Sequence, residues 1–230
     1  MKISYRSLAG GLAAVAVWLS ASVAHAQHGH LNAGAVGTNQ DDALFFANGA
    51  DFVTNSGYIV TMAYTNAGTY AGYFNVNLTI TALPATSANG GPDPDAAALG
   101  AKLAIELTSV TGPSGATFSF WQGGVPVVSL QSGQTGTGTW LLSGAAAGAP
   151  GADPFGHIHG RRFTVDQPGL YTIGFTLYDI STNGIGSGPI HAPSETLYVN
   201  FLAVPEPGTL ALVGGALVSL VLTIRRRRTS

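Results

Sequence analysis

The chain has 230 residues, of which 9% are charged and 46% are hydrophobic, with 32 glycines and no cysteine. This composition excludes a disulfide-stapled domain, and it disfavours amphipathic helices, whose wet faces need Glu, Lys and Arg. Between residues 27 and 204 only three basic residues stand against ten acidic ones, a net charge of −7. That balance argues against a nucleic-acid partner and is compatible with cations.

The N-terminus has the pattern of a secretory signal peptide. Two basic residues precede an apolar run from Leu8 to Leu19, which is followed by Ala24-His25-Ala26. A basic start, a short apolar run and an A-x-A site are together typical of such peptides. We therefore expect residues 1–26 to be removed on export, so that the mature chain begins at Gln27.

Residues 27–203 are predicted to form one all-β domain. Short segments of alternating hydrophobicity are separated by clusters of Gly, Pro, Asn and Ser, which is typical of a sandwich or barrel. In one of them Phe74, Val76, Leu78 and Ile80 share a face. The predicted strands cover residues 58–64, 73–83, 102–110, 116–121, 125–130, 135–142, 162–165, 170–180 and 195–203.

The segment from Gln167 to Asp179 resembles the penultimate strand of immunoglobulin-like domains. It begins with Pro168-Gly169 and continues to Tyr171, and in those domains a tyrosine hydroxyl at this place caps the corner that precedes the strand. The resemblance favours an immunoglobulin-like antiparallel β-sandwich over a barrel.

The histidines are the candidate functional residues. Once His25 has left with the signal peptide, five remain, and four of them form two His-X-His pairs. Side chains two residues apart on a strand project from the same face, so each pair can direct two imidazoles at one ion. With three or four ligands typical of zinc, we predict one shared metal site. Its candidate ligands are His28, His30, His157, His159 and His191.

Oxygen donors near the histidines in sequence are Asp153, Asp179 and Glu195, which could bind the ion or orient an imidazole. Because the chain lacks cysteine, the ligands must be nitrogen and oxygen atoms. The residues alone allow zinc, copper, nickel or iron.

The C-terminus resembles the PEP-CTERM sorting signal of Gram-negative bacteria. Residues 204–230 contain Pro205-Glu206-Pro207, an apolar stretch from Thr209 to Ile224, and four arginines from Arg225 to Arg228. As a helix the apolar stretch would rise about 24 Å, and the arginines would stay in the cytoplasm. The resemblance implies transient anchoring in the inner membrane, recognition by an exosortase, removal of the tail, and display at the cell surface or release.

A wider resemblance covers most of the mature chain. Four segments together look like a PEP-CTERM family repressed by the zinc-uptake regulator, which is similar to surface-anchored domains found beside zinc and manganese importers. This resemblance implies Zn²⁺ as the bound ion, zinc scavenging at the surface, and a zinc import system as a partner. The segments are residues 28–35, 151–163, 168–171 and 188–194.

Two other functions can be weighed against zinc binding. The pair His157 and His159 invites comparison with cupins and copper–zinc superoxide dismutases, but Gly160 to Phe163 lacks the glutamate of the cupin pattern, and the chain lacks the dismutase disulfide. We therefore expect no enzymatic activity. A non-catalytic structural or carbohydrate-binding protein of the extracellular matrix or biofilm remains the alternative, with Trp121 and Trp140 able to stack on sugars unless they pack in the core.

Overall fold

A computed structural model describes most of the predicted domain. The regular structure of these residues consists of β-strands and two 3-10 turns, at Gly49–Asp51 and Ile185–Ser187. The all-β prediction is confirmed. The described residues are 30–53, 57–83, 93–136, 139–142, 162–205 and Gly215. The strands are β1 (His30–Ala35), β2 (Leu44–Phe46), β3 (Val60–Thr65), β4 (Tyr73–Val76), β5 (Thr79–Ala82), β6 (Leu103–Thr111), β7 (Thr117–Gln122), β8 (Val125–Gln131), β9 (Thr139–Leu141), β10 (Arg162–Val165), β11 (Gly169–Asp179) and β12 (Leu197–Val204).

These strands form two sheets. A small sheet has the order β2-β1-β5, and a nine-stranded sheet has the order β8-β7-β10-β4-β3-β12-β11-β6-β9. The chain passes from the large sheet to the small one between β4 and β5, across Asn77 and Leu78. Most pairs are antiparallel, as expected, but β1 with β5 and β12 with β3 are parallel.

The large sheet curls so that its two halves face each other across an aromatic core. Phe163 of β10 lies 5.8 Å from Phe175 of β11, ring centre to ring centre, although three strands separate β10 from β11 in the sheet order. Phe120 of β7 stacks on Trp140 of β9 at 4.0 Å. Strands that are distant in the sheet can meet in this way only if the sheet folds over, which gives the sandwich.

The strand predictions agree with the structure except near the N-terminus. The predicted strand at residues 162–165 coincides with β10, and the other ends differ by a few residues. Residues 73–83 form two strands, β4 and β5, whose apolar side chains all face the core, as predicted. Strands β1 and β2 were not predicted from the sequence.

A tyrosine corner precedes β11, as the resemblance to immunoglobulin-like domains predicts. The Tyr171 hydroxyl donates a hydrogen bond to the carbonyl oxygen of Gln167 at 2.7 Å, and the side chain is fully buried. Burial and the nearby charge of Asp166 raise the pKa of Tyr171 to about 12. Its ring lies directly over Gly112, where any added Cβ would collide with it.

Removing this hydroxyl should destabilise the domain. Tyr171→Phe loses the bond to Gln167 and leaves a carbonyl unpaired, so the free energy of unfolding should fall by about 1–2 kcal/mol in urea denaturation. The matched control is Tyr198→Phe, because Tyr198 is 50% exposed on the neighbouring strand. Equal stability of the two variants would show that the corner contributes nothing.

Candidate functional site

Of the five predicted ligands, only His30 and His191 belong to the described residues. His28, His157 and His159 lie outside them. The geometry of the site is therefore that of these two histidines and of the strands into which the other three lead.

His191 is a buried residue that joins two distant loops. Its side chain is 1% exposed. Its Nε2 accepts a hydrogen bond from the N–H of Ala98 at 2.9 Å, and its Nδ1 lies 2.9 Å from the carbonyl oxygen of Asp42. The acceptor role of Nε2 places the ring proton on Nδ1, which donates to Asp42. A metal needs a ring nitrogen with a free lone pair, and this arrangement leaves none.

Asp179, at the end of β11, holds the backbone of His191 in place. Its Oδ1 accepts hydrogen bonds from the N–H groups of Lys102 and Ser181, at 2.9 and 2.8 Å. Its Oδ2 accepts from the N–H groups of Ile190 and His191, at 2.8 and 3.2 Å, and from the Ser181 hydroxyl at 3.0 Å. Both oxygens are thus committed within the fold, and Asp179 acts as a structural residue in place of the oxygen ligand considered from sequence.

His30 occupies a different position, at the exposed start of β1. Asn48 fixes its backbone, because the Asn48 side chain donates to the His30 carbonyl at 2.7 Å and accepts from the N–H of Asn32 at 2.8 Å. The Nδ1 of His30 lies 3.5 Å from the hydroxyl of Thr81 on β5. Its imidazole is therefore at the surface beside the small sheet.

The structure separates His30 from His191, which corrects the expectation of one site shared by both. His191 lies near the C-terminal end of β1, opposite His30. At that end Ala35 pairs with Leu44, and the N–H of Leu44 donates to the carbonyl of Ala192 at 2.9 Å. Ala35 lies five residues along the extended strand from His30, a distance of about 16 Å. No single ion can bind both imidazoles in this arrangement.

The start of β10, which follows the second His-X-His pair in sequence, lies on the same side of the domain as His30. Phe163 pairs with Val76 at the end of β4, and His30 pairs with Thr79 at the start of β5. Only two residues, Asn77 and Leu78, separate Val76 from Thr79. In this connection, the Oδ1 of Asn77 is buried and has no hydrogen-bond partner among the described residues.

Among the residues that the structure describes, no three His, Asp or Glu side chains form a group that could hold a metal ion. Glu195 is exposed, and Asp153 lies outside the described residues. Both candidate sugar-stacking tryptophans are buried: Trp140 is 5% exposed in the core, and Trp121 is 8% exposed. In the described chain no helix is long and apolar enough to cross a membrane.

Acid should destabilise the fold through Asp179. Burial, the largest influence, raises its pKa, but the hydrogen bonds from Lys102, Ser181 and Ile190 outweigh it, so the pKa lies below the usual 3.8. A lowered folded-state pKa gives stabilisation that is complete above the unfolded-state pKa and is lost as pH falls through the folded value. We expect the free energy of unfolding to decline below about pH 4.

Urea denaturation between pH 2 and 7 measures this effect. Asp179→Asn should be less stable at pH 7 and should show a shallower decline in acid than the parent. Asp51→Asn is the control, because Asp51 is exposed. Parallel pH profiles for the parent and Asp179→Asn would contradict the assignment.

Replacing His191 should also destabilise the fold. His191→Ala leaves the N–H of Ala98 and the carbonyl of Asp42 unpaired in a buried place, so the free energy of unfolding should fall by about 2–4 kcal/mol. His30→Ala, at an exposed position, should cost much less in the same thermal and urea measurements. A stable His191→Ala variant would show that the two loops do not depend on its ring.

Comparison with known proteins identifies the C-terminus. Residues 203–228 match the PEP-CTERM protein-sorting motif, which includes the Pro-Glu-Pro segment and the arginine cluster noted above. No curated protein and no solved structure matches the chain. The chain carries a PEP-CTERM sorting motif, which marks it for export, transient membrane association and processing by an exosortase.

Proposed function

We propose that this exported protein binds zinc at the cell surface through His28, His30, His157 and His159, and that it scavenges the ion for a zinc import system. The observation that carries the proposal is the placement of His30 and β10 on one side of the domain. One His-X-His pair ends at the first residue of β1, and the other lies in the segment that precedes β10 in sequence.

Chain length permits the two pairs to meet. The three Cα–Cα intervals from Val76 to Thr79 span at most about 11 Å. The cross-strand pairs Phe163–Val76 and His30–Thr79 each add about 5 Å. The Cα atoms of His30 and Phe163 are therefore within about 21 Å of each other. His159 precedes Phe163 by four residues, a reach of about 14 Å, and His28 adds two residues on the other side. Chain length therefore does not prevent the four imidazoles from reaching one ion while the sheets stay unchanged.

The chemistry of this region suits zinc. Imidazole nitrogen is a preferred zinc ligand, and a set of neutral imidazoles leaves the ion's charge to be balanced by an acidic domain. The partnerless Oδ1 of Asn77 lies along the connection between His30 and β10. An acceptor oxygen left alone in a buried place costs about 1–3 kcal/mol, so a cation or a ligand N–H near it would relieve that cost.

His191 and Asp179 are left out of the proposed ligand set, since both are committed to hydrogen bonds in the fold. Scavenging fits a site on the surface of an exported domain, where imidazoles can exchange the ion with a partner. An imidazole must be neutral to bind, so affinity should fall below about pH 6.

Zinc titration by calorimetry of the exported protein, stripped of metal, tests the proposal. We expect sub-micromolar affinity near one ion per chain and a melting temperature that rises with zinc concentration, because the metal binds the folded state. His157→Ala and His159→Ala should each lower the affinity by at least about tenfold, whereas His28→Ala should have a smaller effect.

His191→Asn is the matched control, since it removes a histidine outside the proposed set. It should lower thermal stability while zinc affinity stays unchanged. Full affinity in the double variant of His157 and His159 would overturn the site. No binding by the folded parent protein would overturn the function and favour the structural or carbohydrate-binding alternative.

A further inference from the structure

The charges of the domain are unevenly distributed over its strands. The five adjacent strands β8, β7, β10, β4 and β3 contain one charged residue, Arg162, and no acidic residue. In the other part of the large sheet, β6 carries Glu106 and β11 carries Asp179. In a domain with a net charge of −7, these five strands are thus free of acidic residues and contain a single cation, Arg162.

Arg162 is held in position by neutral groups. Its Nη1 donates to the Oδ1 of Asn75 at 2.7 Å, and its guanidinium carbon lies 5.3 Å from the centre of the Tyr70 ring. Asn75 is 8% exposed and is itself fixed by the Thr65 hydroxyl and the Ala63 carbonyl. The Arg162 side chain is half-buried. The described contacts therefore orient the guanidinium without neutralising it.

Aromatic rings surround this cation on the outer face. Trp121 lies edge-to-face with Tyr70 at 5.3 Å and with Tyr73 at 5.5 Å. Its indole N–H donates to the Thr164 hydroxyl at 2.7 Å. The tryptophan is thus a buried support for the two half-buried tyrosines, and Tyr70 places its ring against Arg162.

We propose that this face binds a sugar that carries a carboxylate, as part of an acidic polysaccharide outside the cell. An oriented planar guanidinium pairs with a carboxylate through two parallel hydrogen bonds. Tyrosine rings offer apolar surface to the C–H face of a sugar and a hydroxyl to its oxygens. A free anion would use the guanidinium alone, whereas an acidic sugar uses both features.

The placement of acidic residues supports an anionic ligand at this face and disfavours one elsewhere. The acidic residue nearest along β10 is Asp166, four residues from Arg162 at the other end of the strand, where it accepts from the N–H of Thr117 at 2.8 Å. That separation is about 13 Å, more than the Debye length at physiological salt. Repulsion between Asp166 and an anion at Arg162 is therefore largely screened.

The test is a calorimetric titration of the exported protein with oligogalacturonate, a neutral oligosaccharide of similar length, and sodium sulfate. We expect binding of oligogalacturonate alone, weakened by added salt. Arg162→Gln should reduce the affinity at least about tenfold, because it removes a charge-assisted bidentate pair. Arg162→Lys should restore only part of the loss, since it keeps the charge and not the planar fork.

Lys102→Gln is the matched control, because it removes one positive charge from another strand connection and should leave the affinity unchanged. Tyr70→Phe should bind slightly more weakly than the parent, because it keeps the ring and loses the hydroxyl, and Tyr70→Ser should bind more weakly still. Melting curves confirm that each variant is folded. If sulfate binds as tightly as oligogalacturonate, the site is a simple anion site and the sugar proposal is wrong. The proposal is also wrong if Lys102→Gln loses as much affinity as Arg162→Gln, or if the parent does not bind oligogalacturonate. Zinc affinity should not fall in Arg162→Gln, which separates this proposal from the function proposed above.

Discussion

The fold depends on a buried carboxylate that is balanced by neutral donors. Asp179 is 7% exposed and accepts five hydrogen bonds, four of them from backbone N–H groups. These bonds join the start of β6 and the end of β11 to the segment that leads to β12. Burial of a charge is costly unless hydrogen bonds replace its hydration. The chain cannot satisfy Asp179 without bringing these segments together, so the carboxylate fixes how that end of the sandwich closes.

His191 extends the same network to the small sheet. Asp179 accepts from its N–H, and its ring bridges the loops at Ala98 and Asp42. The Asp42 loop leads into β2, which pairs with β1. A histidine that resembles a metal ligand in sequence thus joins parts of the fold, because its imidazole makes one hydrogen bond to each of the two loops.

The sequence predicted the parts of the fold that depend on local pattern. β10 and β11 have strong alternation or a recognisable corner. Tyr171 could be expected to cap that corner because the contact is local, and its partner Gln167 is only four residues away. β1 was missed because its sequence His-Leu-Asn-Ala-Gly-Ala has small residues where a strand usually has large apolar ones. It is a strand because it pairs with β2 and β5 on its two edges.

The candidate site was less predictable, since its key facts come from contacts distant in sequence. The ring of His191 bonds to residues 93 and 149 positions away, and no local pattern encodes such contacts. The crossing from β4 to β5, which brings His30 near β10, likewise follows from pairing in two different sheets. The orientation of Arg162 also depends on contacts distant in sequence, with Asn75 and Tyr70.

Charge distribution links the two proposals to one physical property of the domain. Ten acidic residues give the domain an overall field that attracts cations. An anion can be accommodated only where that field is locally absent, and the five strands around Arg162 meet this condition because they contain no carboxylate. The proposed zinc ligands His157 and His159 precede the start of β10, close to Arg162 in sequence, so Zn²⁺ there depends on the imidazole nitrogens more than on the field of the domain. On these proposals the same face offers neutral nitrogen ligands to a cation and one oriented guanidinium to an anion, because its strands contain no carboxylate.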